Sequence, residues 1–155
     1  MENLLKNQKS IMISSLNKHN EPAISYAPFV IDNNEIYIYI SKAADHYYNL
    51  LENKKCAVMA IEDEKECKTI FARERVSFNC EAEKTNENLE EVFKLFDEVH
   101  GSQMMMVLRT MDFDLFKLTI KDGRLVKGFG KAYDIEIENN EFKLNQVQGT
   151  GHSNN

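Results

Sequence analysis

Cysteine is scarce and scattered in this chain. Cys56, Cys67 and Cys80 are odd in number, form no Cys-x-x-Cys pair and have no histidine at a zinc-finger offset, which excludes a disulfide scaffold and a structural zinc site. Positive charge is also in deficit. The 19 Lys and Arg residues against 25 Asp and Glu leave a net charge of −6 and a pI near 5.3, so the surface offers no general attraction for nucleic-acid phosphates or an anionic bilayer. Any bound anion then depends on a local group of cations. Long apolar runs are missing too: the longest, residues 56–61 and 104–108, fall far short of a bilayer span. The opening Met1-Glu2-Asn3 does not begin a basic region followed by an apolar stretch. Glycine-rich nucleotide loops, His-Glu-x-x-His and Gly-x-Ser-x-Gly are likewise absent. The expectation is a soluble, cytoplasmic, thiol-reduced protein with neither nucleic acid nor membrane as a partner.

What is present is a well-supplied core. Hydrophobic residues make up 43% of the 155, with 6 tyrosines and 9 phenylalanines, enough for one domain of ordinary size. Ile11 and Ile13 alternate with polar neighbours, a polar break follows at residues 19–21, and the run 23–31 ends at Asp32-Asn33-Asn34. Ile36, Ile38 and Ile40 then share one strand face and Tyr37 and Tyr39 the other, so both faces are covered. The pattern predicts a helix over 43–52, a buried strand over 56–61, and a long strand over 71–84 with Val76, Phe78, Cys80 and Ala82 inward and Arg73, Arg75 and Ser77 outward. Leu89, Val92, Phe93, Phe96 and Val99 form one helical stripe, and residues 103–109 a second short helix. Strands over 112–120 and 124–129 are expected to form a hairpin through Asp122-Gly123, with a bulge or close approach at Gly128-Phe129-Gly130 and a last hairpin at Asn139-Asn140. Six or more short strands, two or three helices and no βαβ alternation imply a mainly β, closed antiparallel barrel with inserted helices.

Several residues stand out for chemistry. His19 and His100 suit a turn and a helix C-terminus, and His46 suits partial burial on its helix. His152 lies in a polar terminal segment, Gly-Thr-Gly-His-Ser-Asn-Asn, that cannot build core, so it is either solvated or docked on a ligand. Arg73 and Arg75 are able to present guanidinium forks to a carboxylate or phosphate, or to pair with local acids. Asp112 and Asp114 share a strand face, and Met104, Met105 and Met106 suit either core packing or a flat apolar ligand.

The segments Ser25-Tyr26-Ala27-Pro28-Phe29-Val30, Ile36-Tyr37-Ile38-Tyr39-Ile40-Ser41, Asp45-His46 with Asn49-Leu50, Asp112-Phe113, Leu115-Phe116-Lys117-Leu118 and Gly128-Phe129-Gly130-Lys131-Ala132 occur in one colinear order. Together they resemble the bacterial haem-utilisation proteins of the HugZ/HutZ type. These belong to the split β-barrel superfamily typified by pyridoxamine 5′-phosphate oxidase and other FMN-binding proteins. The resemblance implies a homodimer with haem at the dimer interface and oxidative opening of the ring. It also implies His152 as axial iron ligand, and an arginine about eighty residues earlier as propionate contact, pointing to Arg73 before Arg75. An aspartate that accepts the other imidazole proton is implied as well, Asp114 before Asp112. Flavin-binding relatives place Lys or Arg three residues before the Asn-Leu pair to hold the phosphate, and this chain has His46 there. Lacking the extra domain of longer members, it resembles the short form.

The residue types suit that chemistry. Haem is a flat apolar dianion around iron and needs an apolar slot, a neutral imidazole and cations at its propionates; a carboxylate on the second imidazole nitrogen makes the ligand more basic. The expected organisation is a split-barrel domain over 1–145 and a flexible tail over 146–155 that carries His152. The expected function is a haem-degrading oxygenase that uses dioxygen and an electron donor. The alternatives are an FMN-dependent oxidoreductase of the same fold and a haem carrier or storage protein without turnover.

Overall fold

The computed structural model describes residues 1–148. Its elements in order are α1 (Glu2–Asn7), β1 (Ser10–Leu16), β2 (Pro22–Asp32), β3 (Glu35–Ser41), α2 (Asp45–Glu52), β4 (Lys55–Ile61), a 3-10 turn (Ile70–Ala72), β5 (Arg75–Lys84), α3 (Leu89–His100), α4 (Ser102–Arg109), β6 (Phe113–Gly128), β7 (Lys131–Glu138) and β8 (Glu141–Gln146). All strand pairings are antiparallel, in the order β3-β2-β1-β4-β5-β6-β7-β8, and β3 also pairs with β6. That last pairing closes six strands into a barrel and leaves β7 and β8 as an extension. The barrel with inserted helices expected from the sequence is the one observed. No helix among the described residues is long and apolar enough to cross a membrane.

Alternation explains the packing. Ile36, Ile38 and Ile40 enter the barrel interior with Ile11, Ile13, Val76, Phe78 and Leu118. On the other face of the same strand, Tyr37 joins Val92, Phe93, Phe96, Met105 and Leu115 in a second core beneath α3 and α4. A strand with both faces buried therefore sits where the helices dock. The acidic Glu90 and Glu91 in the first turn of α3 and His100 in its last turn complement the helix dipole. His100 also fastens the helix to the sheet, its Nε2 lying 2.9 Å from the Phe29 carbonyl. Cys56 and Cys80, buried opposite each other on β4 and β5, behave as small core residues.

Two expectations are corrected, and one short helix is additional. The Asp122-Gly123 hairpin does not form: residues 113–128 are one 16-residue strand. Asn79 pairs with Asp122 and Cys80 with Ile120, so Lys121 is the extra residue of a β-bulge rather than part of a turn. Gly123 serves a close approach, because a Cβ there would lie 2.3 Å from the Ser77 carbonyl oxygen and 2.8 Å from the Phe78 ring. The strand expected from residue 71 begins at Arg75, because the 3-10 turn takes residues 70–72, and Arg73 lies in the link between them. A short helix, α1, precedes β1 and buries Leu4 and Leu5. The Asn139-Asn140 hairpin is as expected, both residues having the positive φ (54° and 62°) of a tight two-residue turn. A register shift falls between Val126 and Gly128, leaving Lys127 as the extra residue, and φ is +69° at Gly130.

Candidate functional site

The sequence-derived site residues fall at opposite ends of the barrel. One end is capped by α2. There Tyr47, buried on the helix, donates its hydroxyl proton to Oδ2 of Asp114 at the start of β6. Lys84 from the end of β5 and Lys42 from the β3–α2 link approach the same oxygen at 3.6 and 3.8 Å. Burial opposes ionisation of Asp114, but the Tyr47 hydroxyl and the two ammonium groups outweigh it and hold the carboxyl below its ordinary value. The same hydrogen bond, with burial, pushes Tyr47 up to about 12. Asp112 differs. Its side chain is 87% exposed, with Lys42 Nζ at 3.9 Å, while its backbone carbonyl accepts the Lys42 N–H at 2.9 Å.

The other end carries the arginines. Arg73 Nε and Nη2 both donate to the Glu62 carbonyl, at 3.1 and 2.5 Å, and Nη1 lies 3.5 Å from Glu64. Its guanidinium therefore staples the 62–74 loop. Arg75 donates through Nη1 to the Arg73 carbonyl at 3.0 Å, which leaves Nε and Nη2 outside that bond. Arg75 faces Val126, and Val126 faces Ala132. The Val147 N–H donates to the Ala132 carbonyl at 2.8 Å, so the chain leaves β8 at the level of Arg75. His152 lies outside the described residues. The ten residues of β5 separate Arg75 from Lys84, roughly 30 Å at the usual strand rise. Asp112 and Asp114 are thus far from Arg73 and Arg75 within one chain.

His46 stands three residues before Asn49-Leu50, where the resemblance leads one to expect a phosphate-binding cation in a flavin-binding member. Its Nδ1 lies 2.9 Å from the Ser25 hydroxyl, and burial pushes the imidazole below its ordinary value against the weaker pull of Asp45. A neutral ring there does not fit a phosphate dianion. Between the two ends, the outer face of the sheet is apolar: Ile24 (79% exposed) and Tyr26 (67%) on β2 adjoin the partly exposed Met12 on β1 and Met59 on β4. Two groups of this site escaped the sequence reading, Tyr47 and the Lys42–Lys84 pair. Three separate elements bring them to Asp114, and no local pattern marks that convergence. A cavity of about 660 Å³ under α1, lined by Leu5, Ile31, Phe142 and others, shares no residue with either end.

A family model described as pyridoxamine 5′-phosphate oxidase matches residues 1–127, and the chain is 34% identical over 131 residues to Heme oxygenase HutZ of Vibrio cholerae serotype O1, covering 83% of this chain and 74% of HutZ. The chain belongs to the pyridoxamine 5′-phosphate oxidase family, in its HutZ-type branch. Among solved structures, ChuZ of Campylobacter jejuni aligns with a TM-score of 0.84 at 31% identity over 98% of this chain, which spans 63% of ChuZ. The structure of HutZ from Vibrio cholerae, named there a heme storage protein, aligns with a TM-score of 0.73 at 32% identity, over 81% of this chain and 91% of HutZ. The HutZ-type likeness thus extends over the whole barrel, including β5 and the first half of β6.

The described residues include groups that suit haem. Arg75 has guanidinium donors to spare for a propionate, the adjoining outer face is apolar, and Asp112 offers an exposed carboxylate. Among the described residues no three His, Cys, Asp or Glu side chains are grouped to hold a bare metal ion.

Proposed function

We propose that this chain binds haem between two copies of itself and opens the porphyrin ring oxidatively, using dioxygen and a reductant, to release iron. The observation that carries this reading is the kinship with Heme oxygenase HutZ over most of both chains. Bound haem supplies redox-active iron and, as the substrate, the carbon that is oxidised. The protein's own residues bind, orient and set the basicity of the ligand. His152 is the axial ligand in this proposal, and a carboxylate accepts its second ring proton and fixes the tautomer.

Exposure supports one of the two carboxylates over the other. Asp114 is committed within its own chain to Tyr47, Lys42 and Lys84, whereas Asp112, largely exposed with Lys42 Nζ at 3.9 Å, is accessible to an imidazole from another molecule, so in this proposal Asp112 takes the role and Asp114 holds Lys42 beside it. The same reasoning moves the propionate contact from Arg73, already spent on the Glu62 carbonyl, to Arg75.

Reach supports a homodimer if His152 meets Asp112. Five residues beyond Val147, His152 extends at most about 17 Å, enough for the Arg75 end of its own barrel and not for Asp112 roughly 30 Å away along the strands. A two-fold pair sets the Arg75 end of one chain beside the α2 end of the other and covers the apolar face of Ile24, Tyr26 and Met12. Each haem then takes His152 and Arg75 from one protomer and Asp112 from its partner. The cytoplasm, where reductants and reduced thiols coexist, is the compartment implied.

The test is reconstitution with haem, then addition of ascorbate in air. Loss of the Soret band with stoichiometric chelatable iron supports the oxygenase reading, and a stable Soret band with bound haem supports the second reading, storage without turnover, which the name of the HutZ structure favours. Failure to bind haem, with flavin taken up instead, overturns both.

A further inference from the structure

Two phenylalanines near Arg75 are exposed in a way that packing within the chain does not explain. Phe71 is 87% exposed and Phe129 is 74% exposed. Scattered surface aliphatics are common, but phenylalanines displayed this fully are not. Neither sits on a loosely tethered stretch. Phe71 is the middle residue of the 3-10 turn, where its N–H donates to the Thr69 hydroxyl at 3.3 Å, and the link behind it is pinned by Arg73 on Glu62. Phe129 tops the β6–β7 turn between two glycines, and Gln146 Nε2 donates to the Gly130 carbonyl at 3.4 Å.

The register brings both to one place. Arg75 faces Val126, so residues before Arg75 run out beside residues after Val126, and the 3-10 turn touches β6. The chain's exit from β8 adjoins the same turn through Gln146 and Val147. Two displayed rings, one guanidinium with donors to spare and the segment leading to His152 therefore share one end of the barrel.

We infer that Phe71 and Phe129 form an aromatic wall that recognises the porphyrin macrocycle itself, independently of its iron. This rests on the haem reading above and deepens it. A flat tetrapyrrole offers aromatic side chains a broad π surface for offset or edge contact, and Arg75 at the foot of the wall fixes which edge of the ring carries the propionates. Iron ligation and ring recognition are then separate contributions from separate residues, and each is removable without the other.

Iron-free protoporphyrin IX is the probe that separates them. The full chain is titrated with protoporphyrin IX by porphyrin fluorescence and with haem by Soret absorbance, in the parent, Phe71→Ala/Phe129→Ala, Phe71→Leu/Phe129→Leu, His152→Ala and Val107→Ala proteins, with dimerisation followed by sedimentation. The expected result is that the double alanine protein binds both ligands at least tenfold more weakly. The leucine pair should be intermediate, His152→Ala should lose affinity for haem only, and Val107→Ala, altered at an exposed site on α4, should match the parent. Unchanged protoporphyrin IX affinity in the double alanine protein overturns the wall while leaving the haem reading intact. An equal loss in Val107→Ala shows unspecific adsorption and also overturns it. Loss of the dimer with affinity retained makes the rings a subunit contact and overturns it as well. A parent that binds neither ligand refutes the haem reading itself.

Discussion

The separation of Arg75 from Asp112 makes complementation between two inactive proteins the most exacting test of a shared site. In the proposed dimer each haem draws His152 from one chain and Asp112 from the other. A His152→Ala chain paired with an Asp112→Ala chain then has one site with both lesions and one with neither. Random reassortment of equal amounts yields half mixed dimers, each with one intact site of two, so about a quarter of all sites should recover full activity. If His152 and Asp112 served one haem within one chain, every site in the mixed dimer would keep a lesion and nothing would be regained. The geometry favours the first outcome, because a reach of at most about 17 Å from Val147 does not cover the roughly 30 Å length of β5. The assay is iron release with ascorbate in air, after the two proteins are exchanged by mild denaturation and refolding. The baseline is the mean of the two unmixed proteins. Activity that stays at this baseline, with mixed dimers demonstrated by differential tags, refutes the shared site.

The arginines predict a contrast. Arg75→Ala should weaken haem binding about tenfold by removing a charge-assisted contact, with the melting temperature unchanged in the apo protein. Arg73→Ala should do the reverse, lowering stability by about 1 to 2 kcal/mol in urea denaturation through loss of the staple on Glu62 while affinity stays within about twofold of the parent. Gly123→Ala should destabilise by about 3 kcal/mol or more, because its Cβ would meet the Ser77 carbonyl oxygen at 2.3 Å; an unchanged thermal melt refutes the close approach. Tyr47→Phe should alter the stability profile at both pH extremes. The folded carboxyl of Asp114 lies below the ordinary 3.8, so its contribution is full above that value and lost as pH falls through the folded one. Tyr47, raised from 10.0 to about 12, contributes fully below 10 and loses that contribution between 10 and 12. Tyr47→Phe should move acid unfolding to higher pH and remove the alkaline loss in that window, as followed by circular dichroism.

The parts of the fold that were legible in sequence are those where one face is buried at a regular period. Ile36, Ile38 and Ile40 against Tyr37 and Tyr39 announced a strand covered on both sides, and Val92, Phe93 and Phe96 announced α3. α1 was not legible, since Leu4 and Leu5 are adjacent and a six-residue helix presents no period. At the site, residue types were readable and their engagement was not. Arg73 and Arg75 look equivalent as alternate residues of a strand, until the 3-10 turn places Arg73 in a loop with the Glu62 carbonyl in its fork. Asp112 and Asp114 look equivalent for the same reason, and only the convergence of Tyr47, Lys42 and Lys84 on Asp114 tells them apart.

The Asp122-Gly123 pair shows how a local misreading reaches the function. A tight turn there would have folded residues 124–129 back toward Asp112, leaving the rest of the chain to emerge at the α2 end, where one protomer could assemble histidine and aspartate by itself. The bulge at Lys121 instead lets β6 run on for 16 residues, its first half closing the barrel on β3 and its second half carrying β7. That continuation delivers β8, and the exit toward His152, to the Arg75 end. The close approach of β5 at Gly123 leaves no room for a side chain there, and the length gained carries the exit from β8 away from the chain's own Asp112 and Asp114. The proposed need for a second copy thus has a local cause, a single strand that bulges where its sequence suggests a turn, and the complementation experiment tests the consequence.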